Sequence, residues 1–234
     1  MQKALGILGG MGSLATAGFM TKVIENTKAE KDQNHLRIYV DCHPQIPNRV
    51  EAIFNGGESP ASAISESIKK LESVGAEIIA MPCITAHAFY SEFVKSASVP
   101  FLYLPDIAAS ACAHDYPGEV AGVLSTAATA ETRLLLSQMD RYNLPYITPN
   151  NSEQDVLSKL IDDVKANNDI ALMVSEFSKV LDAMKNRGAR YFVLGCTELP
   201  LIAAHCPADN YTFLDTTLEL AKASILSCGG TVKL

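Results

Sequence analysis

Short apolar runs alternate with longer stretches of helical periodicity along the whole 234-residue chain. The runs Ala4–Leu8, Arg37–Asp41, Glu77–Met81, Val99–Leu102, Glu119–Leu124, Leu144–Ile147, Arg190–Val193 and Tyr211–Leu214 read as strands. Between them the pattern predicts a helix that begins with Ser13 as its N-cap and runs towards Glu30. Further helices are expected from Ser59 or Pro60 to Val74, after His87, and from the Ser125–Thr129 turn through Arg141. The last ones cover Gln154–Lys165, Ala171–Asn186 and the segment from Asp215 onwards. Strand and helix in strict alternation is the pattern of a parallel α/β architecture.

The two halves of the chain rhyme. Each opens with a strand and a turn of small residues into a helix, Gly9-Gly10-Met11-Gly12 in the first and Ser125-Thr126-Ala127-Ala128-Thr129 in the second. Each later carries a strand that ends in a cysteine near a threonine: Cys83 with Thr85, and Cys196 with Thr197. The pattern predicts two related α/β lobes. In open parallel sheets ligands bind beyond the carboxyl ends of the strands. Both cysteines, both opening turns and the loop Pro44–Arg49 fall at such ends, so a cleft between the lobes is the expected site.

Composition narrows the classes. An apolar content of 48% supports a packed core, and 19% charged residues argues against disorder. A net charge of −7 disfavours nucleic acid, which is gripped by basic faces. No window has the length of a spanning helix, so no membrane partner is expected. The amino-terminal stretch through Leu8 reads as a strand rather than a signal peptide. The six cysteines have no tight spacing, which suits free thiols in a reducing compartment and a cytoplasmic protein.

Two matched cysteines suggest a particular chemistry. Inverting the Cα centre of an amino acid requires one group to remove a proton from one face and another to deliver a proton to the opposite face. A helix N-terminus lowers the pKa of a nearby thiol, so thiol and thiolate can both serve near neutral pH. The Thr85 and Thr197 hydroxyls and neighbouring backbone N–H groups are placed to hold a substrate carboxylate. Gly10-Met11-Gly12-Ser13-Leu14-Ala15 also reads as G-x-G-x-x-A, a form of the dinucleotide fingerprint, which keeps a nucleotide-dependent oxidoreductase as a distant rival. The second lobe offers Thr126 in the equivalent place and no glycine fingerprint, which favours a carboxylate-facing turn. Arg49, on a proline-marked loop, suits bidentate binding of a second carboxylate. His43, His87 and His205 have no metal-ligand spacing.

These residues resemble the aspartate/glutamate racemase family, and most of all its aspartate racemases. The resemblance runs through Gly6–Gly12, Gln45–Arg49, Pro82–Tyr90 and Leu194–Pro200. It implies two similar α/β lobes related by a pseudo-twofold, with the active site in the cleft between them. One lobe would comprise residues 1–105 plus 215–234 and the other residues 106–214. It implies cofactor-independent racemisation with Cys83 and Cys196 as the acid–base pair, and usually a homodimer. The substrate, a small and most simply dicarboxylic amino acid, would be bound by Met11, Asn48, Arg49, Ile84, Thr85, Thr126, Lys165, Thr197 and Glu198. Three positions depart from the family pattern: Ile84 stands where asparagine is usual, Asn48 where aspartate is common, and Ser13-Leu14 where Pro-Glu is common. They leave open an altered substrate, glutamate or another amino acid, or a non-catalytic ligand-binding member.

Overall fold

The computed structural model describes residues 2–166, 168–207 and 209–233. Met1–Ile107 together with Thr217–Leu234 make one compact unit, and Ala108–Thr216 the other. The first unit runs β1 (Leu5–Gly9), α1 (Ser13–Asn26), β2 (Ile38–Cys42), α2 (Arg49–Phe54), α3 (Ala61–Ser73) and β3 (Ile78–Ala80). A 3-10 turn, Thr85–Phe89, leads into α4 (Tyr90–Phe93), followed by β4 (Phe101–Leu102) and α5 (Leu104–Asp115), along which the chain passes into the second unit. The second unit contains β5 (Ala121–Ser125), α6 (Ala127–Glu131), α7 (Leu136–Arg141), β6 (Tyr146–Ile147), α8 (Asn151–Lys165) and α9 (Val174–Asn186). It closes with β7 (Tyr191–Gly195), α10 (Leu199–Ala203) and β8 (Phe213–Asp215), before α11 (Thr216–Ser227).

Each unit is built on a four-stranded parallel sheet, in the order β2-β1-β3-β4 and β6-β5-β7-β8. The orders correspond strand for strand. Cys83 follows β3 and Cys196 follows β7, which hold the same place in their sheets. The rhyme in the sequence is therefore a rhyme in topology.

Parallel strands covered on both faces bury nearly every side chain, which explains the continuous apolar runs. All five residues of β1 and all five of β5 are buried. On β7 the alternation sorts side chains between two layers. Phe192 and Leu194 pack with α8 and α9 residues such as Leu157 and Phe177, while Tyr191 and Val193 pack with Cys112, Leu135 and Met139. All but the first residue of α11 belongs to the first unit, where Lys22 Nζ donates to Thr217 Oγ1 at 2.7 Å and the Lys3 N–H donates to the Cys228 carbonyl at 2.9 Å.

Several boundaries differ from the sequence expectation. The first helix has Gly12, not Ser13, at its N-cap, because Thr16 organises the turn: its hydroxyl accepts from the Gly10 N–H and donates to the Gly12 carbonyl, both at 2.8 Å. That helix ends at Asn26 rather than near Glu30, since Thr27 turns extended and bridges to Val232. The helix expected through Arg141 is broken at Arg133, which adopts φ 51°, and a second helix begins at Leu136. Around and after His87 there are two 3-10 turns, Thr85–Phe89 and Val94–Ser96, with only four α-helical residues between them. The eighth helix starts earlier than Gln154, at Asn151, behind a capping box of Asn150 and Glu153.

The opening glycines are needed by the chain's own packing. Gly10 has φ +95°, and a Cβ there would lie 2.3 Å from the His43 backbone; a Cβ on Gly9 would lie 2.1 Å from Thr16. Gly10→Ala is expected to destabilise the protein by about 3 kcal/mol, read as a drop in the urea midpoint with unchanged slope. An unchanged midpoint would show that the turn is less constrained than this packing implies.

Candidate active site

In the first unit, Cys83 lies three residues beyond β3 and is 7% exposed. It packs in one apolar cluster with Met11, Ile46 and Met81, so the cysteine turn, the glycine turn and the loop after β2 meet in this unit. Ile84 and Thr85 follow it, both buried. Asn48 caps α2: its side-chain oxygen accepts from the Val50 and Glu51 N–H groups at 2.9 and 3.5 Å. An aspartate there would cap equally well, so what Asn48 changes is charge. Arg49 begins that helix, and its Nη1 donates to the carbonyls of Ile46 and Pro47 at 3.2 and 3.1 Å. Guanidinium carries five N–H donors, so these bonds orient the fork while leaving donor capacity for a carboxylate.

In the second unit, Cys196, Thr197 and Glu198 lie between β7 and α10, all buried. One carboxylate oxygen of Glu198 accepts from both neighbours, from Cys196 Sγ at 3.0 Å and from Thr197 Oγ1 at 2.8 Å. Burial, reinforced by the Glu198 carboxylate, holds the Cys196 thiol well above its ordinary pKa; the positive field of Lys165 pulls weakly the other way. This corrects the expectation that a helix N-terminus lowers it. The helix that follows has only five residues, and burial of the sulfur, with a carboxylate in contact with it, outweighs that helix. The Cys196 Sγ that donates to Glu198 at 3.0 Å is a thiol in this arrangement.

Two further predicted residues, Lys165 and Thr126, also lie in the second unit. Lys165 ends α8 and pairs with Asp162 at 3.3 Å. Thr126 caps α6, accepting the Thr129 N–H at 3.1 Å. Gln154, which the sequence reading passed over, donates to the Ser125 carbonyl at 3.1 Å and ties α8 to that turn. A cavity of about 550 Å³ opens between α8 and α9, lined by Val156, Leu160, Asp163 and Met173, but it includes none of the predicted site residues.

His87, weighed from the sequence only as a metal ligand, instead lies against the backbone of Cys83. Its Nδ1 lies 2.9 Å from the Cys83 carbonyl oxygen, and burial lowers its pKa to about 4 against an ordinary 6.5. The available signal was the four-residue interval to Cys83, which places a side chain back over the carbonyl one turn earlier.

Two parallel α/β sheets of identical order thus each deliver a cysteine from the same place in the sheet, the mark of a two-unit α/β protein with paired thiols. The Asp/Glu/Hydantoin racemase family matches residues 8–223, and the chain belongs to that family, and so to a class of isomerases. The structure of the Picrophilus torridus aspartate racemase superposes with a TM-score of 0.89 at 36% identity, covering 99% of this chain and 96% of that one. The broad specificity amino-acid racemase RacX of Bacillus subtilis (strain 168) is 26% identical over 227 residues, 94% of this chain and 96% of its own. A glutamate racemase of Deinococcus radiodurans is 27% identical over 224 residues, 93% of this chain and 74% of its own. Among the described residues no helix is long and apolar enough to cross a membrane.

Proposed function

We propose that the protein racemises a dicarboxylic amino acid, aspartate by preference, with Cys83 and Cys196 as opposed acid–base groups and without pyridoxal phosphate or nucleotide. The observation that carries this reading is the equivalent placement of two free, buried thiols after β3 and β7. In one direction a Cys83 thiolate removes the α-proton and the Cys196 thiol delivers its proton to the opposite face. The enzyme is left with a Cys83 thiol and a Cys196 thiolate, ready for the reverse reaction. With Cys196 a thiol in this arrangement, it is Cys83 that starts as the base in this direction. When Cys196 has to start as the base, Glu198 is the group in contact that can take its proton.

Arg49 binds the side-chain carboxylate in this reading, Lys165 lends positive charge near Cys196, and the Thr85, Met11 and Thr126 turns border the substrate. Work in the cytoplasm, as a homodimer acting on a small molecule, belongs to the same proposal. Six free thiols suit that compartment. Aspartate is preferred over glutamate because of the likeness to the Picrophilus enzyme. The Bacillus relative and the apolar Ile84 favour, as second reading, a broader set of amino acids. A chiral chromatographic assay without added cofactor tests both. The preference for aspartate predicts kcat/KM above that for glutamate by about 10–200-fold, the usual value of one methylene. Comparable rates for both would replace it with the broader reading.

Glu198→Gln separates the carboxylate's two roles. Removing its charge should ease Cys196 ionisation, so alkylation of Cys196 by iodoacetamide near pH 7 quickens, while racemisation slows by about tenfold or more. Unchanged alkylation of Cys196 would show that the carboxylate does not govern this thiol.

A further inference from the structure

The two cysteines are supported differently. Cys196 is held at its sulfur by Glu198, whereas the support at Cys83 is on its backbone. His87 is 1% exposed, and each ring nitrogen has a partner inside the first unit. Nδ1 faces the Cys83 carbonyl oxygen at 2.9 Å, and a carbonyl only accepts, so Nδ1 carries the proton. Nε2 is then an acceptor, and the Leu104 N–H donates to it at 3.5 Å. The tautomer follows from these two partners. The ring is also boxed in by aromatic neighbours: it stacks on Tyr90 at 6.3 Å between centroids and meets Phe101 and Tyr103 edge-on at 6.0 and 5.6 Å. Leu104 is the first residue of α5.

We propose that His87 is a positioning residue: its ring fastens the Cys83 carbonyl to the first residue of α5 and thereby sets the direction in which the Cys83 thiol meets substrate. The inference rests on the reading of Cys83 as an acid–base group. His87 itself transfers no proton, since both nitrogens are committed to backbone groups. Its effect is on the angle of a peptide plane, and misplacement of a reacting group by about 1 Å can cost on the order of 100-fold in rate.

The two amide substitutions separate the nitrogens. Asparagine offers an N–H where Nδ1 stands and can still donate to the Cys83 carbonyl; glutamine reaches towards the Nε2 position and cannot. His87→Asn is expected to keep kcat within about fivefold of wild type, whereas His87→Gln lowers kcat about 100-fold with KM changed by less than about threefold. A general packing defect would not be rescued by the smaller asparagine alone. Equal kcat in the two variants overturns the inference while leaving the racemase reading intact. A wild-type protein that racemises no amino acid overturns both. If His87→Gln does not fold, ring nitrogen NMR of wild type decides. The His87 Nδ1–H resonance should shift when Cys83 is alkylated, and a resonance that stays in place overturns the inference.

Discussion

Replacing either Cys83 or Cys196 by alanine is expected to lower kcat for racemisation by about 10²–10⁴-fold, the usual contribution of a positioned acid or base. The losses should agree in size and differ in kind. With one thiol gone, the other can still remove the α-proton of the enantiomer presented to it and return a proton from the same face. Cys83→Ala should therefore retain slow Cα exchange from one enantiomer, and Cys196→Ala from the other. Both cysteines are small and 7% exposed, so truncation to alanine leaves little cavity, and the loss of rate is not a loss of fold. Thermal melts of both variants check that point. A single variant retaining full activity in both directions contradicts the two-thiol assignment.

The second large effect is on stability. His87 is neutral in the folded chain, with a pKa lowered chiefly by burial to about 4 from an ordinary 6.5, against the opposing influence of the Cys83, Leu102 and Ile84 carbonyls. Its packed neighbours are the rings of Tyr90, Phe101 and Tyr103. Between these two pH values the unfolded chain binds a proton that the folded chain does not, so stability falls as the pH falls. The contribution is fully present above pH 6.5 and lost by about pH 4. The difference of roughly 2.5 pKa units corresponds to about 3 kcal/mol. Urea unfolding of wild type and His87→Asn at pH 7.5 and 4.5 should show the wild type losing more of its stability by nearly that amount. Parallel losses would mean that His87 is not the titrating group.

Much of this architecture is legible in the chain because its sheets are parallel and covered on both faces. β1, β5 and β7 are buried along their lengths and read as apolar runs in the sequence. The ends of helices are less legible because they depend on tertiary detail. Nothing local in Ser13-Leu14-Ala15-Thr16 says that Thr16, rather than Ser13, organises the turn. The break at Arg133 rests on its left-handed backbone, φ 51°, a conformation rare for a residue other than glycine and not announced by the helical period around it.

Candidate chemistry divides in the same way. The cysteines stand out by their setting, Arg49 by its proline-marked loop and Thr126 by its turn, whereas Asn48 enters only through the family resemblance. The electrostatic sign at Cys196 was not legible, since it depends on which way Glu198 folds and on burial of the sulfur. The glycine turn resembles a nucleotide fingerprint only as a string; in the folded chain its close approach is to Thr16 and His43. His87 looked idle because its partners, a carbonyl four residues back and an amide seventeen residues on, are backbone groups.

The most direct measurement of the central claim is Cα proton–deuterium exchange in D₂O, with the wild-type protein, both enantiomers of aspartate, and no added cofactor. Deuterium should enter Cα from either enantiomer as the opposite enantiomer accumulates already deuterated. If neither enantiomer of aspartate, glutamate or any other amino acid exchanges, the two-thiol racemase account is contradicted.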